Sequence, residues 1–555
     1  MLNFIIGRNN SGKTEKIRAL IAERASENKK CILIVPEQFS FESERSILEK
    51  IGAQKMLNVD ILSFTRLAFV INEQYGKALN KTIDDGTRKV LMSLSLEALS
   101  GKLEYFKRFS SKPALLSNLL TFVTELKQCA VTPDEIAEIS GKTGNKSLGK
   151  KLSELSLIAA SYDALVSRSF FDDENLLTIA ADMISETDFF DGKAVYFDAF
   201  CGFTKQERNC IKSILPKAEN VFISLCTDRD LSREGVSVFE NVNTEFSHLK
   251  ECAAEQNVGV SSPEILNVKE DGRSPELVYL EKYLCGEESE PYKEECDNIV
   301  VCAAGNRADE ADFVACEIKK LLRCNPTLRC RNIAVIERTA GTYDKELSES
   351  FKKYGVPMFE DKRRPIGIQP VMVFVKCLLA LCAEGFSTES FMRLLKTGLT
   401  ALSGDEISEL ENYAFLWNID GSKWRRDFTE NPDGLGFDVT EKSQEKLIRL
   451  NDIRKRSVLP VLAFKKDFEE ADGEKKSRLI YEFLIKNGVT ERLREKIEYL
   501  VSSGDTVLCE EQDTVWATLM DMLGKMASAI GETVITAKRY SELFNILLSA
   551  VTLGS

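Results

Sequence analysis

The sequence predicts an α/β protein: a phosphate-loop domain built on a parallel sheet and carrying a large helical insertion. Part of a second α/β domain and a mostly helical C-terminal region follow. Three observations predict this. Gly7-Arg8-Asn9-Asn10-Ser11-Gly12-Lys13-Thr14 fills every fixed position of the pattern G-x-x-x-x-G-K-[ST]. Short, continuous apolar runs recur between turn-forming residues, the signature of strands buried on both faces. Long mixed-charge stretches of helical period separate and follow those runs.

In chain order, Leu2 to Ile6 is a short apolar run with strand character. The phosphate loop follows at once. Its glycines let backbone N–H groups turn toward phosphate oxygens, Lys13 can reach the β/γ-phosphates, and the Thr14 hydroxyl can hold Mg²⁺. Ile17, Leu20, Ile21 and Ala25 then fall at helical spacing, so an amphipathic helix is expected from Thr14 to about Glu27. Cys31-Ile32-Leu33-Ile34-Val35, ended by Pro36, reads as a second strand, and Val59 to Leu62 as a third. Residues 85–185 change to helical periodicity, with Leu115, Leu119, Phe122, Val123 and Leu126 marking one helix and Leu152, Leu155, Ile158 and Ala159 another. Strand signals return at Ala194–Phe197 and Val221–Leu225. The acidic stretch Gly286 to Asp297, containing Pro291, reads as a linker. Ile299–Cys302, a helix from Ala308 to Leu322 and Ile333–Ile336 suggest a second α/β unit. From about residue 370 the pattern is helical, and Lys442–Lys455 reads as a solvated helix face. The expected domains are therefore 1–84 with 186–285, the insertion 85–185, a partial second α/β domain 298–380, and a helical region 381–555.

The chain has 555 residues, enough for several domains. It is 43% hydrophobic and 29% charged, as ordinary soluble proteins are. No apolar run reaches the roughly 18 residues that span a bilayer. The N-terminus lacks the basic region and cleavage site of a signal peptide. The 15 cysteines are scattered with no C-x-x-C, which argues for a reducing, cytoplasmic setting. His248 is the single histidine, so multi-histidine zinc sites and a Ser/His/Asp triad are excluded, and it reads as a surface residue. A net charge of −13 is the wrong sign for binding DNA through the whole surface but is compatible with a local basic channel.

A phosphate loop needs a carboxylate on a neighbouring strand to complete the Mg²⁺ shell. Asp198, at the end of Val195-Tyr196-Phe197, is the candidate; the alternative is a strand-end turn residue. Helicase-type ATPases commonly carry glutamate next, to orient or deprotonate water. Here the residue is Ala199, which can do neither. Loss of a general base costs about 10²–10⁴-fold in rate, so the site is expected to bind ATP and hydrolyse it poorly.

The loop and three further segments, in their order, resemble the N-terminal motifs of the AddB family, relatives of superfamily 1 helicases. They are Gly7–Thr14, Val35-Pro36-Glu37-Gln38-Phe39-Ser40-Phe41, Leu62-Ser63-Phe64-Thr65-Arg66-Leu67-Ala68, and Val195 to Glu207. The similarity continues through Asn332–Arg338, Tyr354–Pro357, Leu395–Leu399 and Leu410–Tyr413, covering most of residues 1 to about 425. It implies RecA-like domains with 1B-like and 2B-like helical regions. It also implies a heterodimer with an AddA-type motor subunit, working on broken DNA ends in homologous recombination. In that family the AddB chain recognises Chi in one strand. The resemblance places Gln38, Ser40, Phe64, Arg66, Phe69 and Phe200 along a single-strand path. Aromatic rings stack on bases at about 1–3 kcal/mol each. Arginine pairs with phosphate or guanine, and glutamine reads a base edge. Phe64 and Phe69 equally suit a core, Arg66 a surface ion pair and Gln38 a turn. Arg338 stands where helicases place an arginine that reaches nucleotide. The family's nuclease carboxylates and iron–sulfur cysteines lie far C-terminal, so ATP and Mg²⁺, without a cluster or nuclease activity, are expected of this sequence. A competent motor ATPase, a small-molecule kinase and a helical scaffold with a degenerate nucleotide site are the competing readings. The kinase is disfavoured by the insertion and the second unit.

Overall fold

The structure is a computed structural model that describes residues 1–76, 83–107, 112–169, 173–227, 238–267, 273–283, 290–359, 364–504 and 506–553. It divides into two compact units. One comprises Met1–Leu231, Asn241–Asn267 and Arg364–Leu553; the other is mainly Val268–Arg363.

The first unit holds a six-stranded, all-parallel sheet. Its strands are β1 (Leu2–Gly7), β2 (Cys31–Ile34), β3 (Val59–Leu62), β4 (Ala194–Phe197), β5 (Asn220–Cys226) and β6 (Glu264–Ile265), in the spatial order β3-β2-β4-β5-β1-β6. Five of these strands fall on the predicted apolar runs. The two-residue β6 edge strand has too little apolar sequence to announce itself. Alternation explains why the runs are continuous: successive side chains point to opposite faces, and both faces are covered. Ile5, Leu33, Ala194 and Tyr196 pack on one side with Ile17, Ile21 and Ala25 of the helix Lys13–Ser26. Phe4, Ile6, Ile32, Ile34, Val195 and Phe197 pack on the other side with Leu67, Ile71, Ala180, Ile184, Cys210 and Ile211.

The two helical stretches that the sequence separates share one core. Buried residues from Ile83 to Val166 and from Ile366 to Leu548 form a single cluster. The helix Asp85–Ala98 lies against Ala537–Ala550 so closely that a Cβ on Gly86 would meet Leu547 Cδ1 at 2.4 Å. Lys525 reaches Asp84 at 2.7 Å, and Arg539 reaches Glu97 and Ser93 Oγ at 2.9 Å each. The last insertion helix, Asp173–Glu186, instead covers the sheet through Leu176, Ala180 and Ile184. The expected solvated face at Lys442–Lys455 is part of the helix Glu441–Glu470. One side of it is buried through Leu450, Ile453 and Arg454, whose guanidinium donates to Trp424 O at 3.0 Å.

Within the insertion, the buried Glu154 carboxylate accepts the backbone N–H groups of Glu104, Tyr105 and Phe106 at 2.8–3.1 Å. Glu154→Ala leaves those donors unpaired and is expected to cost about 2–3 kcal/mol, read as a lowered urea midpoint with an unchanged m-value.

In the second unit the helices Arg307–Cys324 and Asp344–Tyr354 pack through Ala315, Ile318, Phe351 and Val356. The strands expected at Ile299–Cys302 and Ile333–Ile336 are not formed. Both segments lack sheet partners among the described residues, and Val301 and Ile336 are 93% and 90% exposed. An apolar run becomes a strand only where another backbone lies alongside to take its N–H and C=O groups. The acidic linker from Gly286 to Asp297 falls partly outside the described residues; its described part is irregular. Among the described residues no helix is long and apolar enough to cross a membrane.

Candidate functional site

All six strands are parallel, so their carboxyl ends share one edge of the sheet. β1, β2 and β3 each feed a helix that begins at that edge: Lys13–Ser26, Ser40–Ile51 and Phe64–Tyr75. Helix N-termini carry unsatisfied N–H groups and partial positive charge, which favours anions there.

The loop after β1 is shaped for close approach. Asn10 and Gly12 are left-handed, with φ of 59° and 88°. A side chain on Gly7 would meet Ser11 Oγ at 2.3 Å and Leu266 O at 2.8 Å, so only glycine fits. Gly12 caps the following helix without any side-chain acceptor, leaving the first N–H groups for a ligand. Lys13 Nζ donates to the carbonyls of Gly7 and Arg8, both at 2.8 Å, and so braces the loop across its mouth. Ser11 is 3% exposed and its Oγ has no hydrogen-bond partner among the described residues. Arg8, Gly12, Lys13 and Thr14 are half-buried, and Asn9 is exposed. A buried hydroxyl without a partner, a glycine with no room for Cβ and free helical N–H groups together fit a phosphate chain.

Asp198 stands at the end of β4, separated from the loop strand by β5. It is 5% exposed; its N–H donates to Ile34 O at 3.1 Å and its Oδ1 accepts from Ser224 Oγ at 2.5 Å. Among the described residues it makes no ion pair. A buried carboxylate with one hydrogen bond and no countercharge is costly, and a bound cation relieves that cost, so the donor set fits Mg²⁺. Ala199 is exposed and left-handed, with φ 65°. For an alanine that conformation costs about 1–2 kcal/mol.

The residues expected along a strand path follow β2, β3 and β4 at this edge but differ in exposure. Gln38 and Arg66 are exposed, and Arg66 makes no ion pair among the described residues. Ser40 is half-buried, and its Oγ is buried without a partner among the described residues. Phe64 is 6% exposed and sits in an aromatic cluster, 5.8 Å from Phe197, 5.5 Å from Phe200 and 6.1 Å from Phe203 between ring centroids. Its ring is a core side chain and offers no face to a base. Phe69 and Phe200 are half-buried against that core. Arg338 is exposed in the second unit. His248 is half-exposed, with Nδ1 4.0 Å from Glu245.

With this geometry in view, comparison with known proteins is decisive: a family model described as "ADDB, N-terminal" matches residues 4–281, half of the chain. The chain belongs to the AddB family. It is 29% identical over 569 aligned positions to a subunit of the ATP-dependent helicase/deoxyribonuclease of Acetivibrio thermocellus, covering 100% of this chain and 49% of that protein. The proteins of the same name from Clostridium acetobutylicum and Clostridioides difficile are each 28% identical, with the same coverage. The chain thus spans about half the length of the curated relatives it matches. The AddB match encloses the whole carboxyl edge of the sheet, from the loop to Phe200. Sequence reasoning passed over two aromatics within that edge: Phe41, 79% exposed, and Phe39, 37% exposed, directly after Gln38. Their signal was present in the motif Val35–Phe41, which carries two aromatics just after Gln38. Ser224 was also missed, being one hydroxyl within an apolar strand.

Proposed function

We propose that this chain is the nucleotide-holding, strand-tracking part of an AddB-type protein that processes double-strand DNA breaks for homologous recombination. ATP with Mg²⁺ occupies the loop Gly7–Thr14 and Asp198; bound Mg²⁺ supplies positive charge that neutralises the phosphate chain. Ser11, Lys13 and Thr14 grip phosphate, Asp198 accepts the cation, and Ala199 leaves no side chain to activate water, so turnover is poor. The partner is an AddA-type motor subunit, the setting cytoplasmic, and the strand carries Chi. The single observation that supports this reading best is the convergence of a phosphate loop, an uncompensated carboxylate and exposed Gln38, Phe41 and Arg66 on one sheet edge.

Single-stranded DNA then crosses the ends of β2, β3 and β4. Phe41 and the accessible edge of Phe200 supply stacking, Arg66 meets phosphate or a base edge, and Gln38 offers hydrogen bonds, whereas the Ser40 Oγ is buried. Phe64 packs against Phe200, and Phe69 is half-buried against the same core. Phe41→Ala is expected to weaken oligonucleotide binding by about 1–3 kcal/mol through lost stacking. Arg66→Ala is expected to weaken it and flatten its salt dependence by about one counterion. Fluorescence anisotropy on a labelled oligonucleotide at several salt concentrations, with the partner subunit present, measures both. Unchanged affinity in both variants removes the strand path. Steady-state ATP hydrolysis at ordinary helicase rates by the isolated chain removes the holding role and favours the motor reading.

A further inference from the structure

β5 lies between the loop strand and the Asp198 strand, and one of its residues bonds the Asp198 carboxylate. Ser224 pairs in register with Ile5 on β1, and Ile223 pairs with Phe197 on β4, which sets Ser224 level with Asp198. Strand alternation puts Ser224 on the same face as Phe222, and Asp198 on the same face as Tyr196. That face packs against the helix Lys13–Ser26, which the phosphate loop opens. Ser224 is 3% exposed and is flanked along its strand by apolar Ile223 and Leu225. Its hydroxyl is spent on one bond, to Asp198 Oδ1 at 2.5 Å. A hydroxyl hydrogen bond to one carboxylate oxygen restricts the carboxylate's rotamer. Oδ2 accepts no hydrogen bond among the described residues.

We propose that Ser224 is the positioning residue that adapts Asp198 to a divalent cation carried by the bound nucleotide. This rests on the nucleotide reading above. Ser224 occupies Oδ1, fixes the orientation of the carboxylate and keeps Oδ2 for the metal side. Its role therefore concerns the metal-dependent part of nucleotide affinity. The phosphate grip of the loop, which comes from Lys13 and backbone N–H groups, does not depend on it.

The test is equilibrium binding of a fluorescent ATP analogue to the 555-residue chain, with Mg²⁺ and separately with EDTA. Loss of a group that orients a metal ligand typically weakens metal affinity by about 10–100-fold. Ser224→Ala is expected to weaken binding about tenfold in Mg²⁺ and to leave binding in EDTA unchanged, with thermal unfolding little altered. Ser224→Cys, of similar volume and with a weak donor, is expected to behave likewise and guards against a cavity artefact. In Asp198→Asn the serine substitution should add nothing further, since both act through one carboxylate. Wild-type affinity of Ser224→Ala in Mg²⁺ overturns the inference. So does an equal loss with and without Mg²⁺, which marks a purely structural hydroxyl, and so do additive losses with Asp198→Asn. A wild-type chain that binds no nucleotide in either condition removes the nucleotide reading itself, and this inference with it.

Discussion

Lys13→Ala is expected to reduce ATP affinity by about 100-fold, the scale of a lost charge-assisted hydrogen bond to phosphate. Its Nζ holds two loop carbonyls at 2.8 Å. The variant therefore loses both the cation and the brace that keeps the loop open. Lys13→Arg should fail to rescue, because a planar fork does not replace a compact ammonium between two carbonyls. Calorimetric titration with ATP measures the loss. The unfolding midpoint without nucleotide should move little, since the side chain is half-buried and lies outside the core clusters. Full ATP binding by Lys13→Ala would remove the loop assignment. A large fall in stability without nucleotide would make the lysine a structural residue.

The largest stability effect is expected at Leu547. Its side chain is fully buried and meets Gly86 across the junction between the insertion and the C-terminal helices. Leu547→Ala leaves a cavity that should cost about 2–5 kcal/mol. The consequence distinguishes one core from two. Because Asp85–Ala98 and Ala537–Ala550 share a cluster, hydrogen-exchange protection should fall in both helices, although they are far apart in sequence. Loss confined to the C-terminal helix would show that the insertion is stable by itself. Gly86→Val, which places its Cβ within 2.4 Å of Leu547 Cδ1, should produce the same joint loss from the other side.

The sequence determined the parallel sheet because burial on both faces leaves an unmistakable local mark: Cys31–Ile34, Val59–Leu62 and Ala194–Phe197 are strands at the expected positions. It determined the loop because a tight turn and close backbone approach demand glycine at Gly7 and Gly12. It also placed Asp198 and Ala199 directly after a strand, since position after a strand is a local property. The ordered motifs from Gly7 to Glu207 carried the family resemblance in the same local way.

Other features needed tertiary structure. Aromatic residues look alike in sequence whether they face a core or a base; only packing separates buried Phe64 from exposed Phe41. Ile299–Cys302 and Ile333–Ile336 have strand composition, but pairing is non-local and no described neighbour completes it. The joint core of residues 83–166 and 366–548, and the Ser224–Asp198 bond, each join segments remote in the chain. Periodicity and motif spacing report what a residue meets within a few positions along the chain. The partner that arrives from far away is selected by the fit of whole surfaces, and that was decided only by the tertiary structure.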